Sequence, residues 1–133
     1  MSRASKASLS SFLIAALATL SASAQTPLAI HIHSERAMFQ VLVSPGMVGI
    51  DSFVLQLMSG DGNLLRVKEA TLFLSLPERG IAPLERNASL GTDGYWHVGG
   101  VPIPHPGRWH VRIDALTDFR KITLEDDFDV PAR

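Results

Sequence analysis

The chain has 133 residues, 46% of them hydrophobic, with 12 Lys and Arg against 13 Asp and Glu and a formal charge of −1. That balance argues against nucleic acid or anionic lipid as a partner, since both call for a basic face. Cysteine is absent, which excludes disulfides, thiolate ligands and thiol catalysis and leaves His, Met, Asp and Glu as the available metal ligands.

Residues 1–24 carry the three parts of a secretory signal peptide. Arg3 and Lys6 supply the basic start, 9–20 an apolar run, and Ala22-Ser23-Ala24 a small-x-small cleavage pattern before Gln25. The apolar run is short for a membrane span, which takes about 20 residues; an uncleaved anchor is the alternative. The expectation is an exported, periplasmic domain over 25–133. Without Arg3 and Lys6, 10 basic residues remain against 13 acidic ones. A domain of that size can be held by its core alone.

His31-Ile32-His33 follows, with Met38 five residues further on. Histidines at i and i+2 of an extended segment point to one face. Met38 returns toward them if the chain bends at Ser34-Glu35. Two imidazoles and a thioether suit copper, as Cu(I) or Cu(II), better than calcium or magnesium, which take oxygen. Glu35 is placed to add an oxygen or an outer hydrogen bond. The spacing alone also fits two solvated histidines on a lead ahead of the first strand.

The rest reads as short strands between turns. Residues 37–44 form an apolar run ended by Pro45-Gly46. Residues 51–58 alternate with Phe53, Leu55 and Leu57 inward, and Gly60-Asp61-Gly62-Asn63 is a turn. Residues 64–67 are a short edge piece, and 71–76 put Leu72, Leu74 and Leu76 inward. The spacing predicts a loop over 79–83, a polar edge strand over 85–90, a strand over 95–98 and a stiff connection over 99–107. The clearest strand is 108–116, with Trp109, Val111 and Ile113 inward, and 119–130 closes the sheet. About seven strands with frequent Gly and Pro predict an all-β, immunoglobulin-like β-sandwich in one domain, its core filled by Trp96 and Trp109.

Other chemistry-bearing residues read as structural or solvated. His97 and His110 point outward, opposite to the tryptophans, and meet only if their strands are neighbours. His105 sits exposed in a Pro-rich loop. Met47 lies in a loop and Met58 ends a strand, where packing is the ordinary role. The acidic run Glu125, Asp126, Asp127 and Asp129 reads as a solvated edge that discourages aggregation, with a calcium site as the alternative. Asn87-Ala88-Ser89 matches a glycosylation sequon. No nucleophile elbow or phosphate loop is present, so an enzyme is not expected.

Several pieces fall in a familiar order: His31-Ile32-His33 with Ala37-Met38, Ser44-Pro45-Gly46-x-x-Gly49, Lys68-Glu69-Ala70-Thr71-Leu72, Gly80-Ile81-x-Pro83, Asp93-Gly94-x-Trp96, Ile103-Pro104-x-Pro106-Gly107-Arg108-Trp109 and Asp118-Phe119. Across nearly all of 25–133 this resembles the periplasmic C-terminal, YtkA-like domain of copper-resistance proteins of the CopC/CopD type. The resemblance implies an immunoglobulin-like sandwich, a role in copper uptake or tolerance, copper at His31, His33 and Met38, and a CopD-like membrane transporter as partner. The chain is expected to depart from that family in standing alone behind a signal peptide, and no CopC-type site carries over. The competing reading is a metal-free sandwich module that contacts an envelope protein.

Overall fold

The computed structural model describes residues 27–132, and the expected signal peptide lies outside the described residues. Among these, nine strands form two antiparallel sheets: β1 (Leu28–His33), β2 (Ala37–Ser44), β3 (Gly49–Ser59), β4 (Glu69–Leu76), β5 (Ile81–Asn87), β6 (Ser89–Leu90), β7 (Trp96–Ile103), β8 (Gly107–Leu116) and β9 (Lys121–Val130). One sheet runs β1-β2-β3-β7-β6 and the other β5-β4-β8-β9. The immunoglobulin-like sandwich expected from the alternation is present, with nine strands in place of about seven.

Alternation builds the core. Ile30 and Ile32 of β1, Phe39, Val41 and Val43 of β2, and Phe53, Leu55 and Leu57 of β3 face Leu72, Leu74 and Leu76 of β4 and Val111 and Ile113 of β8, all buried. Trp96 and Trp109 are buried at 8% and 2% exposure. The Trp109 indole donates to the His105 carbonyl at 2.9 Å, which satisfies its N–H at the sandwich margin.

Four expectations are corrected. His31 and His33 do not precede the first strand; they lie on β1, an edge strand paired along its whole length with β2. Its mixture of Ile, Ala and His hid it, because an edge strand buries only one face. The loop expected over 79–83 is a single 3₁₀ turn, Pro77–Arg79, followed directly by β5. Pro83 is tolerated there because β5 is an edge, where a missing N–H breaks no ladder. The expected edge strand 85–90 is divided at Ala88, with β5 in one sheet and β6 in the other.

The stiff connection expected from Gly99 is instead a continuation of β7 to Ile103. The β3–β7 register shifts between Asp51 and Phe53, and Gly100 takes φ 65, the left-handed geometry of a bulge. The double glycine thus carries the strand through a bend. Two smaller differences concern turns. Residues 64–67 contribute only a bridge from Leu64 to Met58. Phe119 lies in the β8–β9 turn, 94% exposed.

Candidate metal centre

The β1–β2 hairpin makes the bend on which the Met38 expectation depended. Ser34 N–H donates to the Ala37 carbonyl at 2.9 Å, and the Ser34 hydroxyl accepts the Ala37 N–H at 3.1 Å. The register that follows sets His33 opposite Met38 and His31 opposite Gln40. Directly paired residues share a face, with Cβ atoms about 5 Å apart. Both histidines are exposed and alternate with buried Ile30 and Ile32, so they stand on the outer face. Met38 is half-buried between buried Ala37 and Phe39 and stands on the same face.

The two rings stack, with centroids 6.4 Å apart and planes 20° from parallel. Two metal–nitrogen bonds of about 2 Å are compatible with that separation once the rings turn about their side-chain bonds. Among the described residues neither ring has a hydrogen-bond or ion-pair partner, so their nitrogens are not committed to a structural role.

The register continues past β2. Met38 is opposite Met58 on β3, and Gln40 is opposite Gln56. Two parallel rows thus cross the outer face: His33, Met38 and Met58 in one, and His31, Gln40 and Gln56 in the next. The strands of this sheet carry a single formally charged residue, Asp51. Asp51 is turned inward at 1% exposure, where its carboxylate accepts the Gly46 N–H at 3.2 Å. The rows therefore lie among uncharged strand residues, with Glu35 and Arg36 in the turn beyond His33 and Met38.

Glu35 does not join them; it lies in the β1–β2 turn and lines a shallow groove with Arg36 and residues 120–124. Met47 sits in the β2–β3 turn, at the other end of β2 from Met38.

The remaining histidines are held elsewhere. His97 faces the same way as His31 but lies beyond β2 and β3, on β7 opposite Val54. Its Nε2 is 3.0 Å from both Asp93 carboxylate oxygens. That hydrogen bond, with one from the Tyr95 N–H, holds the Asp93 carboxyl below its ordinary value. The ring lies over Gly91, where a Cβ would come within 2.7 Å of it. His105 is half-buried rather than exposed.

His110 cannot meet His97, because β7 and β8 belong to different sheets and both rings face outward. Its Nδ1 is 2.6 Å from Asp127 and its Nε2 2.6 Å from Glu125. Two carboxylates on two ring nitrogens require both to carry protons. The Asp127 hydrogen bond first, with Glu125 adding to it, raises the His110 pKa above the ordinary 6.5 against the opposing effect of burial. The acidic run is thus engaged with cations: Arg108 pairs with Asp129 at 3.1 Å and with Asp127 at 3.6 Å. Among the described residues, no three His, Asp or Glu side chains are grouped as a metal site, so the metal-binding potential rests on methionine as well.

Met58 is the residue that reading along the sequence assigned to packing at a strand end. Its alternation with Leu57 placed it on the outer face, but only strand pairing sets it beside Met38.

No family model matches the chain, and no curated protein matches it significantly. Among solved structures it is similar to a copper-bound variant of FetP from uropathogenic Escherichia coli strain F11. The TM-score is 0.58 at 7% identity, covering 81% of this chain and 93% of that one. At that identity the likeness establishes a shared sandwich fold.

Proposed function

We propose that this chain is an exported, non-catalytic copper-binding protein of copper homeostasis or resistance. It captures copper on His31, His33 and Met38 and passes it to a membrane partner such as a CopD-like transporter. The observation that carries the reading is the β1–β2 register: it brings two uncommitted imidazoles and a thioether to one exposed, uncharged patch. The donor set is soft to borderline and fits copper. A site on an open sheet face, without a closed cage, suits a carrier that must release its cargo. The likeness in fold to a copper-bound protein, the YtkA-like motifs and the signal-peptide pattern at 1–24 support the same reading. The signal-peptide pattern at 1–24 supports a periplasmic location for the mature chain.

The test is titration of the purified protein with Cu(II), and with Cu(I) under a competing chelator, beside the His31→Ala/His33→Ala double variant. Stoichiometric binding by the wild type that the double variant loses supports the reading. Equal binding by both proteins removes it.

One observation favours a second reading, a metal-free interaction module. Leu42, Val54 and the 69% exposed Ile50 make part of the same uncharged face apolar. An envelope protein that bound the double variant as well as the wild type would favour it.

A further inference from the structure

We propose that Met58 is a fourth ligand at this site, completing a set of two imidazoles and two thioethers that selects Cu(I) over Cu(II). The inference rests on the reading that His31, His33 and Met38 hold copper.

Three observations carry it. The first is register. Met58 is the direct cross-strand partner of Met38, which is itself the partner of His33. Neighbouring strands lie about 4.8 Å apart, so an ion above Met38 is flanked by His33 on one side and Met58 on the other. His31 lies on the same strand face as His33. A methionine side chain has three rotatable bonds and adapts its sulfur position readily.

The second observation is how Met58 is held. The β7 pairing on β3 ends at Leu55 with Trp96. Beyond it the chain folds back, so that Leu64 bridges Met58 and the Leu65 N–H donates to the Leu57 carbonyl at 2.9 Å. Met58 therefore sits between a methionine and a leucine, half-buried, and among the described residues its sulfur has no hydrogen-bond partner.

The third is charge. All four donors are neutral, and the strands around them offer no carboxylate. The cost of placing an ion among poorly polar groups grows steeply with its charge, and no strand residue beside the four donors carries a negative charge to offset a second positive one. A monovalent soft ion is favoured on both counts, since thioether sulfur itself prefers Cu(I). A divalent ion that takes oxygen is offered only the amide oxygens of Gln40 and Gln56 by the neighbouring row, and no carboxylate by the strands.

The experiment compares the purified wild type with Met58→Leu, Met58→Gln and His31→Ala/His33→Ala. Cu(I) affinity is measured against a competing chelator and Cu(II) affinity separately, and thermal melts show that each variant is folded. Leucine conserves the volume of methionine, so that variant should keep its packing. In parallel, methionine methyl NMR signals are followed on titration with Ag(I), a redox-inert stand-in for Cu(I). The expected result is a loss of about ten-fold or more in Cu(I) affinity in both Met58 variants, with Cu(II) affinity changed by less than about three-fold. The Met38 and Met58 methyl signals should shift together at one equivalent of Ag(I). A folded Met58→Leu protein that binds Cu(I) as the wild type does, or a Met58 methyl that Ag(I) leaves in place, overturns the Met58 assignment while the three-ligand reading stands. Failure of the wild type to bind copper in either oxidation state overturns both.

Discussion

His110 on one outer face of the sandwich and the pair His31 and His33 on the other are used in opposite ways. On the four-stranded sheet every strand carries charge, and His110 is clamped between Asp127 and Glu125, while Arg108 reaches Asp127 and Asp129. Further along, Arg112 lies over the Phe73 ring at 4.1 Å and pairs with Asp114 at 3.1 Å. Thr123 donates to the same Asp114 carboxylate at 2.8 Å. On the five-stranded sheet the only charged strand residue is buried, and among the described residues His31 and His33 stack on each other with no hydrogen-bond or ion-pair partner. A histidine whose two nitrogens are both engaged is part of the surface architecture. A histidine pair left uncommitted beside thioethers is available to a ligand. The difference lies in the neighbours that strand register supplies, since all three residues stand on exposed sheet faces.

The largest expected effect concerns what the two faces share. Trp109→Ala removes a fully buried ring from the common core and should cost about 3–5 kcal/mol, read by chemical denaturation. Both faces should fail together, so copper binding that survived in an unfolded variant would break the account. A more selective change puts a charge on the uncharged face. Gln56→Arg, on the same face of β3 as Met58 and across Gln40 from His31, should weaken copper binding by up to about five-fold, corresponding to roughly 1 kcal/mol of repulsion in a solvent-exposed setting. Its thermal stability should be near that of wild type, and unchanged affinity would mean that the neutrality of the face is incidental.

Acid should act on the two faces in opposite directions. The His110 pKa is raised in the folded state, so its protonated form adds stability that is fully present below about 6.5. That contribution is lost as pH climbs through the raised folded value. His110→Gln should remove this part of the pH dependence, which thermal melts at pH 5.5 and pH 8.5 would read. Copper affinity should move the other way, falling as protons compete for imidazole nitrogen. The smallest effect is that of Arg108→Ala. Arg108 is 58% exposed in its two ion pairs, and such pairs contribute under about 1 kcal/mol; a larger loss in a denaturation curve would show that the charged lattice acts cooperatively.

Much of the fold was legible because β2, β3, β4 and β8 alternate strictly, and Phe53, Leu72 and Trp109 announce their inward face. The edges were not. β1 mixes small, apolar and His residues, β5 contains Pro83, and β7 runs through Gly99 and Gly100; each breaks a local rule that pairing or a bulge then satisfies. The site was legible where it is local. The i, i+2 spacing of His31 and His33 and the hairpin to Met38 need only a short turn. Met58 lies a full strand away in sequence, and nothing along the chain announces that Met38 and Met58 are opposite one another. His110 likewise reads as a lone outward histidine until β9 is laid beside β8.

The most direct measurement is the copper titration of the wild type beside the His31→Ala/His33→Ala variant, with His110→Gln as the matched control from the other face. The account predicts one equivalent of copper bound by the wild type and by His110→Gln, and its loss in the double variant with no change in melting behaviour. Copper retained by the double variant, or lost on changing His110, would contradict it.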